Sequence, residues 1–120
     1  MKKKIVLISQ PMKGLSDEQI LSIRNKATSI LEDKGYEVMD KNLVDREAYR
    51  EDDENSIIKV LHKPVLYLSK SVERIAKCDV ICLVNDWYTA KGCCIEFEVA
   101  KDYDLEILVL NTETEELVSL

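Results

Sequence analysis

The 120-residue chain has no apolar run approaching the length of a membrane span. Its first residues, Met1-Lys2-Lys3-Lys4, lead straight into Ile5-Val6-Leu7-Ile8. The long apolar region and small-residue cleavage site of a signal peptide are missing. The expectation is a cytoplasmic protein with no membrane partner. Histidine occurs once, as His62, and the four cysteines (Cys78, Cys82, Cys93 and Cys94) never stand in CxxC spacing. The common zinc patterns are therefore excluded. Reduced, mostly buried thiols are expected, with no metal and no cofactor. Positive charge is short as well: 17 Lys and Arg stand against 23 Asp and Glu, for a net charge of −6. The one dense basic run is Lys2-Lys3-Lys4. Long nucleic acid is excluded as an expected partner, because its phosphates need clustered cations. A small anionic ligand stays open, since N–H groups at a helix start bind phosphate without net positive charge. No internal repeat, linker or low-complexity segment occurs.

What is present is an ordinary globular mix, 46% hydrophobic and 33% charged. The length suits one domain, residues 1–120, around one core. Residues 4–9 form a β-rich apolar run, expected as strand one. Gln10-Pro11-Met12-Lys13-Gly14 is a turn punctuated by Pro11 and Gly14. Ser16 and Gln19 have capping-box spacing, and Asp17 and Glu18 suit the first turn of a helix dipole. Ile20, Ile23, Ala27, Ile30 and Leu31 recur at helical spacing. That helix is expected to reach about Lys34, with Gly35 as its left-handed cap. Residues 36–39 make a short second strand. The strand–helix–strand unit is right-handed and parallel. It puts the 10–14 turn on the carboxyl edge of the sheet, where ligands sit in open α/β folds.

Residues 41–55 are the most polar stretch and form either a solvated loop or a lid. Ile57, Ile58, Val60 and Leu61 suggest a short helical segment before Pro64. Residues 65–77 are helical in pattern, with Leu68, Val72, Ile75 and Ala76 toward the core and Ser69 and Ser71 toward a pocket. Residues 79–85 are expected as strand three and residues 105–110 as strand four, with a helix from Gly92 to about Tyr103 between them. The tail, residues 111–120, either adds an edge strand or packs on a second subunit. The expected class is α/β, with a parallel sheet of four or five strands in the order 2-1-3-4 and helices on both faces.

Trp87-Tyr88-Thr89-Ala90-Lys91-Gly92 joins strand three to the next helix and leads to Glu96. The helical neighbours of Glu96 at spacings of three and four are Gly92, Cys93, Val99 and Ala100, a small and weakly polar face. Glu98 instead neighbours Cys94, Lys101 and Asp102 and is expected in solvent. A carboxylate on the less polar face is partly desolvated, which tunes its pKa for catalysis. Gly92, one turn earlier, leaves the approach open. Asn85 and Asp86 at the strand end are candidates for a ribose hydroxyl. Trp87 and Tyr88 either stack on a base or cover the core edge. Lys91 either neutralises a phosphate or is solvated.

Four pieces occur in one order over roughly residues 4–110. They are Gln10-Pro11-Met12-Lys13-Gly14, Gly35-Tyr36-Glu37-Val38, Ala76-Lys77-Cys78-Asp79, and Trp87-(x)4-Gly92-(x)3-Glu96-(x)3-Ala100. Together they resemble the nucleoside 2-deoxyribosyltransferase-like superfamily, and most closely an uncharacterised branch common in phages and prophages. The resemblance implies a flavodoxin-like three-layer sandwich, a homo-oligomer, and a small-molecule partner that is a nucleoside or nucleotide. It implies Glu96 as nucleophile, attacking the anomeric carbon as the base leaves, with water or a second base resolving the glycosyl-enzyme. It also implies that Gln10, Pro11, Met12, Lys13 and Gly14 contact the sugar or its phosphate. Ser71 stands where transferases of the family carry Asp, and it can hydrogen-bond a phosphate. Ala90 stands where transferases carry Asp and nucleotide hydrolases Ser. Two expectations follow: cleavage or transfer at an N-glycosidic bond, or a catalytically weak or inactive binder that sequesters a nucleotide or nucleotide-derived signal.

Overall fold

β1, Ile5–Ser9, is buried except at its first residue, and β3, Val80–Val84, is buried throughout. Strands covered on both faces read as unbroken apolar runs, the pattern of parallel strands flanked by helices. The computed structural model describes residues 2–39 and 60–120. Between and after these strands come α1 (Asp17–Asp33), β2 (Glu37–Met39), α2 (Lys63–Ile75), a 3-10 turn (Trp87–Thr89), α3 (Lys91–Asp102), β4 (Glu106–Asn111) and β5 (Glu116–Ser119). Residues 41–55, with Ile57 and Ile58, lie outside the described residues.

The five strands form one sheet in the order β2-β1-β3-β4-β5. The first four run parallel, with Val6 opposite Val38 and Val80, and Cys82 opposite Leu108. β5 runs antiparallel to β4, with Val109 opposite Val118. The sheet is therefore mixed, which corrects the expectation of a wholly parallel one. The reason is chain length: only residues 112–115 separate β4 from β5, too few for the crossover that parallel neighbours require. The Asn111 side chain accepts hydrogen bonds from the N–H groups of Glu113 and Thr114, and Glu115 takes a left-handed φ of 61° to close the turn.

Successive strand side chains point to opposite faces, and the core divides accordingly. Val6, Ile8, Val80, Cys82, Val84, Leu108 and Leu110 pack with Ala27 and Leu31 of α1. Leu7, Ile81, Leu83 and Ile107 pack with Ile75 of α2 and with Cys93 and Ala100 of α3. One helix thus covers one face and two cover the other, an α/β sandwich. Each fully buried Leu, Ile or Val stabilises this arrangement by about 1.5–3 kcal/mol.

Local signals set the helix ends. Ser16 Oγ accepts from the Gln19 N–H at 3.1 Å, and Gln19 Oε1 accepts from the Ser16 N–H at 2.8 Å. At the other end of α1, Tyr36 N–H donates to the Leu31 carbonyl and Gly35 N–H to that of Glu32. Gly35 has φ 94°, the left-handed residue that this paired termination needs. α2 starts at Lys63 rather than at residue 65, because Pro64 lacks an N–H that the first turn leaves unbonded in any case. Ala76 is its C-cap and is exposed, not a core residue. Val60 and Leu61 are not helical. No helix among the described residues is long and apolar enough to cross a membrane.

Candidate active site

The end of β1, the loop that follows it, one face of α2 and the first turns of α3 enclose a cleft of about 640 Å³. Small-molecule sites span roughly 300–1,000 Å³. α3 begins at Lys91 with Ala90 as its N-cap, and no side chain caps it. The first-turn N–H groups of a helix have no intrahelical acceptor, and Lys91, Gly92 and Cys93 border the cleft. A Cβ at Gly92 would meet no atom within 4 Å, so this position leaves space open at the helix start.

Glu96 lies one turn further along and faces the cleft, whereas Glu98 is exposed. Burial pushes the Glu96 carboxyl above its ordinary 4.5. Hydrogen bonding from Ser9, the charges of Arg74 and Arg24, and hydrogen bonding from Ser71 pull it the other way without cancelling the burial. The buried Ser9 hydroxyl lies close enough to favour the ionised carboxylate, though its geometry falls short of a full hydrogen bond. Burial also pushes the Cys93 thiol up to about 11, with Ser9 opposing and the nearby Glu96 and Cys94 adding to the rise. Cys93 is thus a protonated wall residue rather than a thiolate.

Seven of the residues expected at the site line the cleft: Gln10, Pro11, Met12, Lys13, Ser71, Gly92 and Glu96. Gly14, Asn85 and Trp87 do not. Gly14 is exposed, with φ 83°, and serves the turn itself. Asn85 takes a left-handed φ of 53°, and its Oδ1 accepts from the Thr112 N–H at 2.9 Å and from its hydroxyl at 3.1 Å. It ties the ends of β3 and β4 together. Trp87 packs on Phe97, with ring centroids 5.0 Å apart and the planes tilted by 34°, and against the core cluster of that face. It covers the core edge. Ser69 is exposed and donates to the Leu66 carbonyl, away from the cleft. Asp79 accepts from the Ile5 N–H at 2.8 Å, a structural contact.

Gln10 lines the cleft with its side-chain amide already engaged. Its Oε1 accepts from Arg24 Nε at 2.8 Å, and its Nε2 donates to the Ile20 carbonyl at 3.2 Å. Sequence reasoning missed Ser9, Arg24, Tyr67 and Arg74, all of which line the cleft. One signal existed for each helix. Arg24 interrupts the apolar stripe Ile20, Ala27, Leu31, and Tyr67, Ser71 and Arg74 share one face of α2 at spacings of four and three. Among the described residues, the charged lining consists of Lys13, Arg24, Arg74, Lys91 and Glu96. This described lining is cationic in a chain of net charge −6. No group of three His, Cys, Asp or Glu among the described residues could hold a metal ion.

The family described as a domain of unknown function, DUF4406, matches residues 4–109, and the chain belongs to it. No curated protein and no solved structure matches the chain.

Proposed function

We propose that this DUF4406 chain cleaves or transfers at the N-glycosidic bond of a nucleoside or nucleotide, with Glu96 as nucleophile. The observation that carries this is the placement of Glu96. It is a cleft carboxylate beyond the carboxyl end of a parallel strand, faced by Ser9 and Ser71 and by two arginines. A Glu96 oxygen attacks the anomeric carbon. The C–N bond breaks, and the base leaves with its electron pair and takes up a proton. Water or a second base then attacks the same carbon and restores the carboxylate. The kinship with nucleoside 2-deoxyribosyltransferase-like enzymes, a flavodoxin-like fold and a homo-oligomer belong to the same proposal. Val118 and Leu120, exposed at the sheet edge, support the oligomer.

The buried Arg24 and half-buried Arg74 of the lining favour a phosphorylated substrate over a neutral nucleoside, because cations in a low-dielectric cleft focus an anion there. A second reading has its own support. Glu96 is the one carboxylate among the described residues of the lining, and Ala90 offers no polar group. Among the described residues of the lining, no second carboxylic acid stands ready to protonate the leaving base, as the two-carboxylate logic of glycosidases requires. Such a cleft fits a binder that holds a nucleotide or nucleotide-derived signal without turnover.

Incubation with a panel of nucleosides, nucleotides and dinucleotides, followed by chromatography of released base, separates the two. Base release that disappears in Glu96→Gln supports the enzyme. Tight binding with no release supports the binder. Neither binding nor release from any member of the panel refutes both.

A further inference from the structure

Arg24 is 1% exposed and occupies the sheet-facing stripe of α1 among Ile20, Ala27 and Leu31. An apolar side chain would fill that stripe without desolvating a charge. The guanidinium is instead built into a network. Its Nε donates to Gln10 Oε1 at 2.8 Å and its Nη2 to the Ile8 carbonyl at 3.4 Å. Gln10 in turn donates to the Ile20 carbonyl at 3.2 Å. These bonds join α1 to the end of β1 and to the first residue of the loop that walls the cleft. α1 covers the face of the sheet opposite to α2 and α3. Arg24 nevertheless lines the cleft together with Glu96 of α3, so it reaches the site past the carboxyl end of β1.

We propose that Arg24 is a positioning residue for Glu96: it anchors the loop after β1 through Gln10 and presents a buried counter-charge to the carboxylate from the far layer of the fold. This rests on the assignment of Glu96 as nucleophile. Among the described residues, the other titratable groups lining the cleft with Glu96 are Lys13 of the loop, Tyr67 and Arg74 of α2, and Lys91 and Cys93 of α3. Lys13 and Lys91 are exposed, and solvent screens them. Arg74 and Arg24 both favour the ionised carboxylate. Arg74 does so from α2, packed on the same face of the sheet as α3. Among the charged groups of the described lining, Arg24 couples the carboxylate to the position of the β1 loop through its bond to Gln10, with a planar fork that lysine cannot reproduce.

The test is a carbon-13 NMR titration of the Glu96 carboxyl in the full chain, assigned with Glu96→Gln, beside pH profiles of base release. Arg24→Gln keeps a donor and removes the charge, and the Glu96 midpoint and the acidic limb of the profile should both move up. Arg24→Lys keeps the charge and loses the fork. Its Glu96 midpoint should stay near wild type while kcat falls about a hundredfold, the cost of a misplaced site. Gln10→Met should behave like Arg24→Lys. A Glu96 midpoint unmoved in Arg24→Gln, with only stability reduced, overturns the proposal. If Arg24→Gln does not fold, a kcat retained in Arg24→Lys and Gln10→Met overturns it. Absence of base release from the wild type refutes the nucleophile assignment instead, and the titration still decides whether Arg24 acts on the carboxylate.

Discussion

Replacing Glu96 by Gln should change the shape of the stability–pH curve. Burial raises the Glu96 pKa above 4.5 and outweighs the downward pull of Ser9, Arg74, Arg24 and Ser71. The folded state therefore retains a proton at pH values where the unfolded chain has lost it. Stability falls with rising pH wherever the folded state binds more protons than the unfolded one. The wild type should lose stability relative to Glu96→Gln as pH climbs from 4.5 to the folded-state pKa, and the difference should stay level beyond it. Each tenfold change in the ionisation constant carries about 1.4 kcal/mol. In a chain of this size about 1 kcal/mol moves Tm by about 4 °C, so a tenfold change appears as roughly 5–6 °C. Glutamine is nearly isosteric, and the other carboxylates cancel when the two curves are subtracted. Urea and thermal unfolding of both proteins at half-unit steps from about pH 4 to 8 provide the measurement. A flat difference, or a wild type that gains on the variant as pH rises, refutes the assignment of Glu96 as a carboxylate dominated by burial.

Further outcomes test other parts of the fold. Ser16→Ala breaks the capping box of α1 and should cost about 1 kcal/mol, read as a lower urea midpoint with unchanged m. Leu83→Ala, at a fully buried position between the sheet and the α2–α3 layer, should cost about 2–5 kcal/mol. Asn85→Ala leaves the Thr112 N–H without its acceptor and keeps a side chain at left-handed φ. The expected loss is about 1–3 kcal/mol. Asn85→Gly should lose less, because glycine adopts that φ without strain. The Cys93 thiol, raised to about 11 by burial, should resist iodoacetamide at pH 8 in the native protein and react after unfolding. Peptide mass spectrometry reads the labelling, and rapid native modification of Cys93 would contradict its burial.

The elements that were legible in the sequence rest on local rules. Ser16 with Gln19 marks the start of α1 and Gly35 its end, because capping bonds close within a few residues. The apolar runs at β1, β3 and β4 are legible because both faces of those strands are covered. Glu96 is separable from Glu98 because neighbours at spacings of three and four share a helix face. For residues 111–120 the sequence leaves an edge strand and a subunit contact both open. The antiparallel direction of β5 follows from the short connection after Asn111, which becomes informative only once β4 is known to end there.

The polar partners of the site were not legible. Gln10 reads as a loop residue available to a ligand, yet Arg24 and Ile20 engage its side chain. Asn85 reads as a strand-end candidate for a hydroxyl, yet it bonds Thr112, one strand away. Trp87 leaves stacking and core coverage equally open from its position, and Phe97 decides between them. In each case the deciding partner is remote in sequence or belongs to another element, and propensity and periodicity carry no information about such pairs.

From its order of residues alone, the chain determines an α/β alternation, the ends of its first helix, and a carboxylate on the small-residue face of a helix that follows a buried strand. Only the tertiary structure decides what surrounds that carboxylate. Ser9 arrives on β1, Arg24 on α1, and Ser71 and Arg74 on α2, brought together because parallel strands deliver the ends of successive units to one edge of the sheet. Burial and charge at that edge then set the protonation of Glu96. These are sums over neighbours in space, which no spacing along the chain encodes.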